Sequence, residues 1–259
     1  MIIIKNDEQI ELIKRSGLLL GKAHGEVAKI IKPGVQTAQL DKVAEEFIRD
    51  NGGVPSFKGY NSFPSSLCIS VNSAVVHGFP GKYELKEGDI VSVDCGVFLN
   101  GYHADSAYTY PIGEVSQEVK KLLKVTKESL FKGLDEAKAG NRMGDVGYAI
   151  QTYVEKEGFS VVRELVGHGI GKSLHEAPEV PNYGRKGQGL KLQEGTVLAV
   201  EPMVNLGRKA IVQEADGWTI RTRDNLPSAH FEHTIVVRKG AAEILTTFEF
   251  IEQVINKHG

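Results

Sequence analysis

At 259 residues the chain has room for one large domain or two small ones, and 41% hydrophobic with 25% charged residues is an ordinary globular composition. A formal net charge of −2 lacks the basic excess that nucleic-acid or membrane-surface binding needs, so no specific nucleic acid and no membrane is expected as a partner. Cys68 and Cys95 are too few for a disulfide framework, and residues 1–4 run straight into Lys5-Asn6-Asp7-Glu8 with neither basic leader nor cleavage site, which points to a soluble, cytoplasmic protein.

Residues 7–31 space Ile10, Ile13, Leu18, Val27 and Ile30 at a helical period among Lys and Glu, closed by Pro33-Gly34, and predict a first helix. A second is predicted over 37–50, with Thr37 as N-cap, Leu40, Val43, Ala44, Phe47 and Ile48 as the apolar stripe, and Gly52-Gly53 as the stop. Segments 67–77 and 89–98 are rich in Val, Ile and Ser and read as strands, and Asn100-Gly101 marks a hairpin between 91–98 and 103–110. Beyond Pro111 helical spacing returns at 115–138 and 142–157, and strand-like runs follow at 160–166, 196–204, 209–213 and 231–238.

The order helix, helix, strand thus occurs twice, and the resemblance is one of residues as well as pattern. Lys32-Pro33-Gly34 with Leu40, Val43, Phe47 and Gly52 recurs 106 positions later as Lys138-Ala139-Gly140 with Val146, Ala149, Tyr153 and Gly158. Likewise 85–94 matches 192–201 at an offset of 107, one copy ending in Asp94 and the other in Glu201. Such a period is far beyond the ~20–50 residues of a solenoid. The expectation is therefore one domain over 1–259, its pseudo-repeats at roughly 7–110 and 113–238 sharing a sheet and holding a site between them. Asp94 and Glu201 would occupy equivalent strand ends and face each other.

With a two-residue turn at Asn100-Gly101, position 94 pairs with 107, so Asp94 and Asp105 lie diagonally on one face, ~5–8 Å apart. Val91, Val93, Cys95 and Val97 make that strand a buried one, where bare like charges raise each other's pKa unless a cation lies between them. His168 stands among Gly167, Gly169 and Gly171, which would let backbone crowd a ligand or metal, and His175 follows in His175-Glu176-Ala177-Pro178. Glu201 and Glu232 each sit in apolar strand context, where an ionised carboxylate must be paired or bound. Four carboxylates and one imidazole without a thiolate suit divalent Mn, Fe(II), Co or Zn, and are too many for one ion, so two are expected. Paired ions are the arrangement of hydrolytic centres.

These residues carry a resemblance that runs over essentially the whole chain. Val76-His77-Gly78, Val93-Asp94-Cys95-Gly96, Gly101-Tyr102-His103-Ala104-Asp105, 167–171 with 175–178, Glu201-Pro202-Met203 and Phe231-Glu232-His233 resemble the motifs of type I methionine aminopeptidases. The resemblance implies an α+β "pita-bread" fold, a pseudo-twofold antiparallel sheet flanked by helices with a dinuclear metal site in the central cleft. It implies Asp105 and Glu232 as bridging ligands, Asp94 on one ion, and His168 with Glu201 on the other. The implied activity is removal of the initiator methionine from nascent proteins and peptides with a small second residue, by a metal-bridging hydroxide. His77 and His175 would position the amide and stabilise its oxyanion, and Glu201 would carry a proton to the leaving amine.

By the same resemblance Tyr60, Phe63, Cys68, His77 and Trp218 would line a methionine pocket, and Asn72 with Ser228 a monovalent-cation site. Leu174, Ala104 and Ser106 depart from the residues usual beside His175 and Asp105, which bears on pocket shape. Nascent N-termini are the expected partners, with transient ribosome contact through the catalytic domain and a monomeric state. Two rival readings share the motifs: a prolidase or aminopeptidase P, whose extra N-terminal domain has no counterpart before His77, and a non-catalytic peptide-binding module, which would have lost a ligand.

Overall fold

The structure, a computed structural model, describes residues 2–258. Helix α1 (Asp7–Ile30) starts at a capping box in which the Gln9 amide donates to the Asn6 side chain and the Asn6 amide donates to that of Gln9. Helix α2 (Thr37–Asp50) is capped by Gln36 rather than by Thr37, the Gln36 amide donating to the Gln39 side chain. The Thr37 hydroxyl is committed elsewhere, accepting from the Gly81 amide and donating to the Gly81 carbonyl. The second helical pair is α3 (Gln117–Glu136), capped by Ser116, and α4 (Met143–Lys156). A C-terminal helix, α5 (Glu249–His258), was not anticipated from the sequence and lies against α1.

Strands Ile90–Leu99 and Tyr102–Pro111 form the expected hairpin, with Asp94 opposite Ala107 and Asp105 opposite Gly96. Asn100 (φ 53°) and Gly101 (φ 85°) supply the two left-handed residues of a tight turn whose twist suits the strands. The run 67–77 breaks at left-handed Asn72 into Leu67–Val71 and Ala74–Val76. Only Ser160–Val161 of 160–166 is strand, paired with Val204 and Asn205, and the Val162 amide adds one further bond to the Met203 carbonyl. Every strand pairing is antiparallel, across a four-stranded sheet around the hairpin, a five-stranded sheet containing Gly167–Gly169, Val197–Val200 and His233–Val236, and two three-stranded sheets.

Backbone bonding repeats between the halves. The Gly34 amide donates to Leu85 and, at the second site, that of Gly140 to Leu192. Gly88 to Ile112 and Ile112 to Asp89 recur as Gly195 to Val237 and Val237 to Thr196. The offset is 107 at Asp89/Thr196 and 125 at Ile112/Val237, because the second half makes a longer excursion through 206–227. Threonine hydroxyls stitch the halves: Thr234 accepts from the Asp105 amide and donates to its carbonyl, and Thr109 does the same for His230. Helix α1 packs on the hairpin, and Ser16 donates to the carbonyls of Leu99 and Tyr102. Among the described residues no helix is long and apolar enough to cross a membrane.

Candidate metal centre

Strand geometry delivers the five expected ligands to one place. Asp94 and Asp105 come from the hairpin, His168 from the middle of Gly167–Gly169, Glu201 from the residue after Val197–Val200, and Glu232 from the link between Ser228–His230 and His233–Val236. All five line a cleft of about 420 Å³ together with Tyr60, Phe63, Cys68, His77, His175 and Trp218. Asp94 sits in mid-strand, not at a strand end, whereas Glu201 does follow the end of its strand. Phe57 and Asn61 also line the cleft and went unread, because a loop bearing single aromatics has no periodicity to mark its inner side.

The His168 Nδ1–H donates to the Gly169 carbonyl at 2.9 Å, which fixes the tautomer and leaves the Nε2 lone pair aimed at carboxylates. That Nε2 lies 3.6 Å from Glu201 Oε1 and 4.0 Å from Asp105 Oδ2. One ligand atom each from Asp105, His168 and Glu232 falls within 4.8 Å of the others. Asp94 Oδ1 and Glu232 Oε1 are buried with no hydrogen-bond partner, and no Lys or Arg lines the cleft among the described residues.

Burial first, and neighbouring carboxylates second, push Asp105, Glu201 and Glu232 well above the usual carboxylate range. Burial also raises Asp94, against a hydrogen bond shared with Asp105 that lowers it. Burial lowers His168 to about 3, keeping its imidazole neutral at pH 7. Acidic oxygens packed without a cation, and a neutral imidazole presenting a lone pair, are the donor set of divalent metal ions, whose binding displaces the protons.

The glycines around His168 serve a purpose different from the expected one. A Cβ at Gly167 would lie 2.3 Å from the Ala199 carbonyl oxygen and one at Gly169 2.3 Å from that of Ala177, so they admit neighbouring strands rather than a ligand. His175 stands at the mouth, its Nδ1 2.7 Å from the Tyr60 hydroxyl and its ring 4.1 Å from that of His168. Burial lowers the pKa of both His77 and His175, leaving two neutral imidazoles beside the carboxylates. His77 itself is held at φ 59°, left-handed backbone that costs a non-glycine residue strain and concentrates at functional sites.

At the apolar end Phe63 meets Trp218 edge-on at 5.2 Å and stacks on Phe79 at 5.3 Å, and Asp216 caps the turn that presents Trp218. Leu174 lines the cleft, but Ala104 and Ser106 do not; the Ser106 hydroxyl donates to the Glu232 carbonyl and so bears on the carboxylate cluster instead of on the pocket. Asn72 and Ser228 meet outside the cleft, the Ser228 amide donating to the Asn72 carbonyl, while the Asn72 side chain is tied to Asp89 and the Ile90 amide.

Residues 11–239 match the profile of metallopeptidase family M24. The chain is 53% identical over 246 residues to a methionine aminopeptidase of Clostridium perfringens, covering 95% of this chain and 99% of that one. It is equally identical, over the same coverage, to methionine aminopeptidase 1 of Bacillus subtilis. The crystal structure of methionine aminopeptidase from Rickettsia prowazekii superposes with a TM-score of 0.94 at 41% identity, covering 95% of this chain and all of that one.

Proposed function

The chain belongs to metallopeptidase family M24, among its methionine aminopeptidases, and from that premise we propose that it releases the N-terminal methionine of nascent proteins and peptides whose second residue is small. The observation that carries this reading is a buried cluster of Asp94, Asp105, His168, Glu201 and Glu232, with orphaned carboxylate oxygens, at the end of an aromatic cleft. In this reading those five side chains would hold two divalent ions, with Asp105 and Glu232, which the resemblance implies as shared ligands, at the heart of the cluster. Bound there, such ions supply activated water at neutral pH and polarise the scissile carbonyl.

The protein's own groups do the rest. Phe63, Cys68, Trp218 and Tyr60 receive the methionine side chain, whose thioether is favoured against aromatic edges, and shape excludes bulkier residues. His77 and His175, both neutral and both lining the cleft, donate to the substrate amide, His175 being oriented by Tyr60. Glu201, beside His168 in the cluster, passes a proton to the departing amine. A second residue lying directly beside the carboxylate cluster would have to be small in this reading. The same reading takes the whole of 1–259 as one catalytic domain working as a cytoplasmic monomer, with transient ribosome contact and a monovalent cation at Asn72 and Ser228.

Release of free methionine from Met-Ala-Ser by metal-stripped protein, titrated with Mn, Co, Fe(II) or Zn, tests the reading. Metal-dependent release that Asp105→Asn abolishes is expected. Equal release by the stripped protein and by Asp105→Asn would refute it, and preferential cleavage of Xaa-Pro peptides would favour a prolidase.

A further inference from the structure

His230 lies behind the cleft and is absent from every role described so far. It takes the place in the second half that Asp105 takes in the first. One threonine hydroxyl from the opposite half clamps each residue's backbone: Thr234 holds Asp105 at 2.9 and 2.8 Å, and Thr109 holds His230 at 2.8 and 2.7 Å. The offset of 125 that relates Thr109 to Thr234 also relates Asp105 to His230. Both side chains therefore reach the same centre from opposite halves, one as a carboxylate and the other as an imidazole.

The His230 side chain is 2% exposed, and neither ring nitrogen has a hydrogen-bond partner. A buried imidazole N–H left without an acceptor loses its hydration with nothing in return, so the ring needs an acceptor. Its Nε2 lies 3.9 Å from Glu201 Oε2, and the other oxygen of that carboxylate, Oε1, faces His168 Nε2 at 3.6 Å. Closing that first gap by about 1 Å makes an ordinary N–H···O bond.

We propose that His230 is a positioning residue that donates its Nε2–H to Glu201 Oε2, so that Glu201 presents Oε1 to the metal beside His168. The inference rests on Glu201 being a metal ligand. It assigns His230 no contact with substrate. Outer partners of this type fix the orientation of a ligand, and their loss costs roughly 10–100-fold in metal affinity or activity.

The test uses full-length protein labelled with ¹⁵N-histidine and stripped of metal. Zn(II) binding is followed by calorimetry and by long-range ¹H–¹⁵N correlation of the ring nitrogens, with His230 assigned by its absence from His230→Gln. On Zn(II) binding the His230 Nε2 resonance is expected to move while keeping the protonated-nitrogen pattern. His230→Leu should bind Zn(II) about 10–100-fold more weakly, whereas His230→Gln, whose amide can still donate, should stay within about threefold of wild type. With Met-Ala-Ser, His230→Leu should lose kcat at nearly constant KM. Wild-type protein that binds Zn(II) without any change at His230, or a folded His230→Leu that binds as wild type does, would overturn the proposal and leave the metal centre standing. Failure of wild type to bind Zn(II) would overturn both. If His230→Leu does not fold, the wild-type resonances still decide.

Discussion

A methyl group at position 78 would meet the strand Leu67–Val71 head-on. The Gly78 carbonyl accepts from the Ile69 amide at 2.8 Å, and its amide donates to the Ser70 hydroxyl at 3.2 Å, so the two backbones touch. A Cβ on residue 78 would stand 2.3 Å from the Ile69 carbonyl oxygen and 3.0 Å from its carbon. Both obstacles are backbone, so Gly78→Ala must part the segments by about 1 Å, at the ~1–3 kcal/mol typical of overpacking. The adjacent peptide carries His77, already in left-handed backbone. A displacement of about 1 Å in a positioning group costs on the order of 100-fold. The expected result for Gly78→Ala is therefore a kcat/KM for Met-Ala-Ser about 100-fold below wild type. Metal affinity should be nearly unchanged, because no carboxylate of the cluster lies on that segment. Steady-state kinetics, metal calorimetry and urea unfolding of the same preparation measure all three. A folded variant with wild-type kcat/KM, or one whose loss tracks lost metal, would refute the reasoning.

Further outcomes follow from other parts of the structure. Burial holds His24 at about 4 while its Nε2–H donates to the Ser106 carbonyl, so the unfolded chain, with His near 6.5, binds the extra proton between those values and stability falls as pH drops through them. The contribution is about 2.5 kcal/mol at pH 4.5 relative to pH 7; urea unfolding should show His24→Gln losing that much less on acidification, and identical pH slopes would contradict it. Lys5 and Glu176 form a 2.5 Å ion pair with side chains only 3% and 6% exposed, beside His175. Lys5→Met strands the carboxylate and should cost about 3 kcal/mol, most of it recovered in Lys5→Met with Glu176→Leu; a double variant no more stable than the single one argues against this. Tyr60→Phe frees His175 Nδ1 and should reduce kcat roughly tenfold with folding intact, since a single orienting hydrogen bond is lost; an unchanged kcat would show that His175 needs no orientation from Tyr60.

Local chemistry made much of the molecule legible. The apolar spacing of α1 to α4, the Asn100-Gly101 turn and the resulting pairing of Asp94 with Ala107 follow from periods and dihedral preferences acting over a few residues. The strands around His168, Trp218 and His230 escaped notice because each is three to five residues long, too short for an alternation, and stabilised by partners distant in sequence. Helix α5 depends likewise on its seat against α1.

The candidate site divides in the same way. Asp94, Asp105, His168, Glu201 and Glu232 are the residue types that a hydrolytic metal centre requires, set in motifs readable one by one, and the offset of 106–107 already tied Asp94 to Glu201. Beyond Glu201 the excursion through 206–227 shifts that offset to 125, and similarity between single residues such as Asp105 and His230 is nil. Only folding decided that His230 takes the place in its half that Asp105 takes in the other, that Thr109 and Thr234 join the halves, and that Gln36 displaces Thr37 as a cap. Each of these depends on which backbone groups meet across a hundred or more residues or on a side chain spent on a distant partner, and hydrogen bonds of that reach leave no periodic trace in the chain.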